Sequence, residues 1–333
     1  MKKNTMKIAI VRLSALGDIV NSSVVLEFLH KHFEFIEIDW ICEEVFAPLL
    51  QNHPLIDRVH TINLKEIKKS KNLSLLRQNY NKLKTLGSYD IVIDMQGLIK
   101  SAIVSRIISK NTHGFDKKST RESLATVFYK TVSSIDYSEN VVKRNCFVVS
   151  DALGFEITPN EIQNKQPIFP VSKKLFFSND KKNVVLIVGA SWDSKIYPKE
   201  ELVKVCEELK EQFYIVWGNK QEKADAEFIA SHTKYATVAP QLKLDELVSF
   251  VSQADLLIGN DTGPTHMAWA QNIPSITLLG PTTKRMIYET PINIGIKSPS
   301  KVDIMKIDKN DFSIKEISYK EIVNKAKELL YGI

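Results

Sequence analysis

Three stretches of this 333-residue chain combine residue types that could carry out group transfer. In Leu257-Ile258-Gly259-Asn260-Asp261-Thr262-Gly263-Pro264-Thr265-His266-Met267-Ala268, a strand-like apolar run meets Asp261 and Thr262, which suit a helix N-cap. Pro264 suits the first helical turn, where its missing N–H costs nothing. A helix starting there would turn unpaired N–H groups and the positive end of its dipole outward from a strand's carboxyl end, a natural seat for a diphosphate. The same residues also fit a plain cap at Asp261 and a helical His266 with no further task.

The second stretch, Val188-Gly189-Ala190-Ser191-Trp192-Asp193-Ser194-Lys195-Ile196-Tyr197-Pro198, joins a small-residue turn to a proline-led helix. It would bring Ser191 and Lys195 beside that helix start. A lysine offers a point charge to a phosphate oxygen, although a loop lysine is more often simply solvated. Glu222, at the end of Trp217-Gly218-Asn219-Lys220-Gln221-Glu222, either accepts ribose hydroxyls or caps its own helix. In the third stretch, Arg12-Leu13-Ser14-Ala15-Leu16-Gly17-Asp18-Ile19-Val20, Ser14 and Gly17 allow a tight turn before Asp18. Asp18 is a helix cap or a carboxylate base at the lip of a cleft between domains. Only one glycine is present, so the dinucleotide fingerprint is missing, which weakens a nicotinamide reading.

Alternating strands and helices must hold these loops. The first half offers strands over 7–13, 37–42, 58–63, 89–95 and 112–115, and helices over 18–33, 73–86, 99–108, 122–130 and 139–153. Such alternation implies parallel sheets covered on both faces. Prolines 159, 167 and 170 then break the pattern between Gly154 and Lys182. It restarts with strands over 184–188, 214–217, 256–259 and 275–279, and helices over 199–209, 221–231, 244–252 and 315–330. The reading is an α/β chain of two doubly wound domains, 1–155 and 183–333, joined by a linker over 156–182. The last helix is a candidate to pack back on the N-terminal domain.

Composition agrees with a globular protein of about two domains: 44% of residues are hydrophobic and 25% charged. Cys42, Cys146 and Cys206 are scattered and odd in number, which argues against a disulfide framework or zinc site and fits a reducing cytoplasm. The apolar run 8–11 is too short for a signal sequence, and no window approaches a membrane span. The net charge of +6 is uneven: Lys65, Lys68, Lys69, Lys71, Arg77, Lys82 and Lys84 face a single acid, Glu66. That run is a solvated helix face or a surface for anionic lipid or phosphorylated substrate. Nucleic acid is disfavoured, because no aromatic-interleaved basic stripe accompanies it.

Taken together, Ser14-Ala15-Leu16-Gly17-Asp18, Asp94-Met95-Gln96-Gly97-Leu98-Ile99-Lys100-Ser101, Gly114-Phe115-Asp116 with Arg121-Glu122, and Asp261-Thr262-Gly263-Pro264-Thr265-His266 resemble the lipopolysaccharide heptosyltransferases of glycosyltransferase family 9, the type I enzymes in particular. The resemblance runs from about Met6 to the last helix. It implies the GT-B architecture: two Rossmann-like doubly wound parallel-sheet domains facing across a cleft, with closure around the substrates. The implied reaction is inverting transfer of L-glycero-D-manno-heptose from ADP-heptose to the Kdo of Kdo2-lipid A, at the cytoplasmic face of the inner membrane through peripheral contact. By position, Asp18 is the implied base, assisted by Lys195. Ser191, Lys195, Glu222, Leu242 (at adenine), Asp261, Thr262, Gly263 and His266 are the implied donor residues. Ser14, Gly17, Arg58, Gln96, Lys100, Arg121, Asn140 and Arg144 are the implied acceptor residues. No metal or cofactor is implied, ADP-heptose being a substrate. Two positions depart from the family: Ala190 replaces a hydroxyl residue and Asn140 a histidine. Transfer to an already heptosylated acceptor (type II), a nucleotide-sugar epimerase and a two-lobed sugar-binding protein are the alternatives.

Overall fold

The structure is a computed structural model that describes residues 5–171, 173 and 180–332. It divides into two compact units that meet in sequence between Ile168 and Phe169.

Unit one runs β1 (Met6–Val11), α1 (Leu16–Ser22), α2 (Val25–His32), β2 (Ile36–Glu43), α3 (Ala47–Leu50), β3 (Arg58–Ile62), α4 (Leu64–Ser70), α5 (Leu73–Lys84), β4 (Ile91–Asp94), α6 (Ile99–Ile108), β5 (Thr112–Phe115), β6 (Thr131–Ser133), α7 (Val141–Leu153) and α8 (Pro159–Gln163). Unit two runs β7 (Asn183–Ile187), α9 (Lys199–Leu209), β8 (Gln212–Val216), α10 (Lys220–His232), β9 (Ala236–Val238), α11 (Leu244–Val251), β10 (Leu256–Asn260), α12 (Gly263–Ala270), β11 (Ser275–Leu279), β12 (Asn293–Lys297) and α13 (Tyr319–Tyr331).

Each unit holds a six-stranded parallel sheet, ordered β3-β2-β1-β4-β5-β6 in one and β12-β11-β10-β7-β8-β9 in the other. Counted within its own unit, each is the Rossmann order, with the reversal between the first and fourth strands. The central strands β7 and β10 are buried along their whole length, as expected for continuous apolar strands sandwiched between helices. Around them Leu186, Ile215 and Ile258 pack with Val205 of α9 and Ile322 and Ala326 of α13. Unit one builds its equivalent from Val11, Ile41 and Val92, with Leu83 of α5 and Val104 of α6.

Several expectations are corrected. The helix expected over 18–33 is two, α1 and α2, because the hydroxyls of Ser22 and Ser23 bond back to the Ile19 carbonyl where α1 ends. The helix expected over 122–130 is a 3₁₀ turn, Ser123–Phe128, followed by β6. The short strands β6, β9 and β12 were not anticipated. The stretch expected to be a linker contains α8, started by a Thr158–Glu161 capping box; its residues 172 and 174–179 lie outside the described residues. Within unit two, α13 packs on α9, β10 and β11.

Candidate active site

Unit two gathers its polar side chains where the sheet order reverses, between the carboxyl ends of β7 and β10. Asn260 closes β10 and ties the two loops together. Its Nδ2 donates to the carbonyls of Val188 (2.9 Å) and Gly189 (3.3 Å), and its Oδ1 accepts the Tyr197 N–H at 3.0 Å. This brings the loop after β7 over the end of β10. Lys195 Nζ then lies 2.8 Å from Asp261 Oδ2, and His266 Nε2 3.1 Å from Asp261 Oδ1. All three are buried. Burial pushes the Asp261 carboxyl up, but Lys195 and His266 more than offset it and hold the group well below the usual carboxylate range. Asp261 is therefore not a cap: α12 begins on Thr262, whose side chain makes no capping bond.

The start of α12 is open. Thr265 and His266 turn their N–H groups onto the Thr262 carbonyl, and Pro264 has none. The N–H groups of Thr262 and Gly263 keep no partner among the described residues. Close packing holds this mouth in place. A Cβ on Gly259 would fall 2.6 Å from Thr265 Oγ1, and that hydroxyl donates to the Asn260 carbonyl at 2.6 Å.

The remaining donor-side residues follow the sheet outward. At the end of β8, Glu222 accepts the Gly218 N–H at 2.6 Å and an Asn219 Nδ2–H at 2.7 Å. Its carboxylate folds over Gly189, where a Cβ would meet it at 2.3 Å. Leu242 is half-buried in the loop between β9 and α11. Ser191 shares the Lys195 loop but is exposed. The fully buried hydroxyl of Ser194, which makes no hydrogen bond among the described residues, lies beside Lys195 and was overlooked in the sequence.

Unit one uses its own reversal, between β1 and β4. Ser14 Oγ accepts from Lys100 Nζ (3.1 Å) and Gln96 Nε2 (3.4 Å), while Gln96 Oε1 accepts the Leu13 N–H at 3.0 Å. Asp18 is the third residue of α1. Its Oδ2 accepts the Ala15 N–H at 3.0 Å, and its Oδ1 pairs with Arg12 Nη2 at 2.8 Å. Both the capping reading and an accessible carboxylate hold, since the side chain keeps 32% exposure. Gly17 lies within the first turn of α1.

Arg12, quoted in the motif but not assigned a role, holds Asp18 and also donates to the Met95 carbonyl. Behind Gln96, buried Asp94 accepts Tyr129 OH (2.7 Å) and the N–H groups of Gln96 (2.8 Å) and Gly97 (3.2 Å); burial lifts its pKa. Glu43, at the end of β2, is a further buried carboxyl, raised by burial against the N–H of Lys65 and the charge of Lys100.

The structure gives three of the implied acceptor residues structural contacts of their own. Arg58 opens β3 in register with Asp39, so it lies at the amino end of its strand, whereas the Ser14 and Gln96 loops leave carboxyl ends. Arg144 is buried: it donates to the carbonyls of Ile135 (3.3 Å), Asp136 (2.7 Å) and Ser119 (2.5 Å), and its guanidinium lies 4.7 Å from the Phe115 ring centroid. It pins the loops after β5 and β6 rather than facing a ligand. Asn140 caps α7 by accepting the Val142 N–H at 2.9 Å. Arg121 is exposed on the loop whose Thr120 and Glu122 dock on Gly97 and Ile99.

The family model for glycosyltransferase family 9 (heptosyltransferase) matches residues 81–300. Lipopolysaccharide heptosyltransferase 1 of Campylobacter coli is 41% identical, over 97% of this chain and 99% of that one. The protein of the same name from Escherichia coli K12 is 27% identical over 85% and 90%. Among solved structures, E. coli heptosyltransferase WaaC with ADP-2-deoxy-2-fluoro heptose aligns with a TM-score of 0.79 at 23% identity, over 97% of this chain and 99% of that one. E. coli ADP-heptose lps heptosyltransferase II aligns at 0.69 and 17%, over 98% and 99%. These two likenesses bear on the fold, which is the α/β fold expected. By the family model and the long 41% match, the chain belongs to glycosyltransferase family 9, the heptosyltransferases.

Proposed function

We propose that the protein transfers a heptose from ADP-heptose, with inversion, to the Kdo of Kdo2-lipid A, as a type I enzyme working at the cytoplasmic face of the inner membrane. The observation that carries this reading is the order of the donor residues along one sheet edge. Lys195, Asp261, Thr262 and Gly263 stand at β7 and β10, Glu222 at the next strand, β8, and Leu242 beyond β9. Four neighbouring strands span about 14 Å, a length suited to diphosphate, ribose and adenine in that sequence. The type I choice follows the relatives: 41% identity to a protein named heptosyltransferase 1, against 25% to one named heptosyltransferase 2 from Haemophilus ducreyi.

In the reaction, Asp18 takes the proton of the attacking Kdo hydroxyl as the anomeric carbon–oxygen bond to ADP breaks. Arg12 pairs with that carboxylate and aims it. Lys195 and the N–H groups of Thr262 and Gly263 stabilise the charge that gathers on the departing diphosphate, a role that needs no metal or other cofactor. Asp261 and His266 hold Lys195 in place. Ser14, Gln96, Lys100 and Arg121 offer hydroxyl, amide and cationic groups to the anionic acceptor.

The test is ADP release from ADP-heptose with Kdo2-lipid A, with the product weighed, for the native chain and Asp18→Ala. A product one heptose heavier, lost in the variant while ADP still binds, is expected. Turnover only with an acceptor that already bears heptose would move the assignment to type II, and no turnover with either would end the transferase reading for this acceptor class.

A further inference from the structure

The positive charge of this chain is concentrated. Residues 64–130 contain fourteen lysines and arginines against five acids, a surplus of nine, whereas the whole chain carries six. The rest of the molecule is therefore net acidic. This segment folds into a continuous layer in which α5 packs on α6, and α6 on the 3₁₀ turn Ser123–Phe128.

The outer side of the layer is apolar as well as basic. On α5, Leu73, Leu76 and Tyr80 are exposed and fall within about 60° of one another around the helix. Ile103 is exposed on α6, and Leu124 and Val127 on the 3₁₀ turn. Leu73, Leu124 and Val127 are 77%, 66% and 67% exposed, far more than packing leaves to large aliphatic side chains. Exposed Lys68, Lys69, Lys71, Arg77, Lys84, Arg106, Lys117 and Lys118 flank them. Single exposed leucines are ordinary, but a row of them among cations, on elements packed side by side, marks an interaction face.

We infer that the outer face of α5, α6 and the Ser123–Phe128 turn docks on a bilayer containing anionic phospholipid. Charge complementarity selects this occupant. The cations meet the negative surface potential while short aliphatic side chains enter the headgroup boundary, the pattern of a surface-lying rather than a spanning segment. No helix among the described residues is long and apolar enough to cross a membrane. The Ser123–Phe128 turn follows directly from Arg121 and Glu122, on the loop that docks at Gly97. Docking there sets the lipid surface next to the proposed acceptor groups. The inference rests on the proposed lipid-borne acceptor only for its purpose; the binding itself is tested without substrate.

Sedimentation with vesicles of phosphatidylcholine alone, or with 30 mol% phosphatidylglycerol (roughly the anionic share needed to set up a surface potential), tests it on the full chain. The native protein should bind only the anionic vesicles, and less at high salt. Leu73→Ser/Leu76→Ser/Leu124→Ser/Val127→Ser should weaken binding by about tenfold or more. Lys68→Glu/Lys69→Glu/Lys71→Glu should weaken it too and flatten the salt dependence. Unchanged circular dichroism and melting would show that the variants fold. With a soluble, deacylated Kdo acceptor both variants should turn over as the native chain does, and should lose rate only when the acceptor sits in vesicles. Native-strength vesicle binding by both variants overturns the inference, as does a native chain that ignores anionic vesicles but forms dimers that the serine variant abolishes. Vesicle binding that behaves as described, with no transfer to any acceptor, would overturn the proposed function and leave the docking face standing.

Discussion

The two units repeat one strand order but finish their switch points in opposite ways. In unit one each helix start at the reversal holds one of the chain's own carboxylates: Asp18 accepts the Ala15 N–H ahead of α1, and Glu122 accepts the Ile99 N–H at 2.7 Å. In unit two the N–H groups of Thr262 and Gly263 at the start of α12 have no partner among the described residues, and a lysine lies beside them. A helix start that already holds a carboxylate has no room for a phosphate; an open one with a lysine attracts it. The ion pairs differ in the same sense. Arg12–Asp18 keeps 32% of its carboxylate side chain in solvent, whereas Asp261, between Lys195 and His266, keeps 2%. One unit thus leaves its carboxylate within reach of solvent, and the other buries its carboxylate to fix a cation.

That contrast can be broken by removing each carboxylate in turn. Asp261→Ala strands the buried Lys195 and should cost about 3–5 kcal/mol of unfolding free energy. Asp18→Ala, at a partly exposed pair, should cost no more than about 1 kcal/mol while it removes activity. Chemical denaturation of both variants measures this. Equal costs would mean the two sites are not differently built.

Arg144 gives the next largest effect. Arg144→Ala deletes three hydrogen bonds of a buried guanidinium and should cost about 2–4 kcal/mol; Arg144→Lys should recover only part, because an ammonium cannot span the same three acceptors. A ligand-binding arginine would instead leave the melting temperature alone and raise the KM for acceptor. Asn140→Ala, which loses a helix cap, should cost about 1 kcal/mol.

Acid sharpens the comparison through the sign of its effect. The folded-state pKa of Asp261 is depressed, so its contribution is present above the unfolded value near 3.8 and is lost as pH falls through the folded value. The penalty of Asp261→Asn should therefore shrink below about pH 4. Asp94 is raised by burial, so its contribution is present below the unfolded value and is lost as pH rises through the folded one. The penalty of Asp94→Asn should shrink in the opposite direction, toward alkaline pH. Stability curves of the two variants with the same slope would contradict the assignment.

Much of this was legible in the sequence, for identifiable reasons. Apolar runs such as 184–188 and 275–279 are buried along their whole length, so hydrophobicity alone located β7 and β11 almost to the residue. β6, β9 and β12 were missed because they are edge strands of three to five residues that are not buried along their whole length, too short for a periodic signal. Lys195 was expected beside the Asp261 helix start, but the ion pair itself depends on Asn260 bridging two loops about seventy residues apart, a contact no local pattern encodes. Arg144 shows the reverse case. The resemblance implied an acceptor residue, while only the fold reveals the three carbonyls of Ser119, Ile135 and Asp136 that it serves.

The most direct test of the divided roles is amide hydrogen exchange of the native chain with and without ADP. The account predicts slowed exchange at Thr262 and Gly263 and in loops 188–195 and 217–222, with loops 12–18 and 96–100 unchanged. Protection confined to loops 12–18 and 96–100 would place the nucleotide in unit one and contradict it.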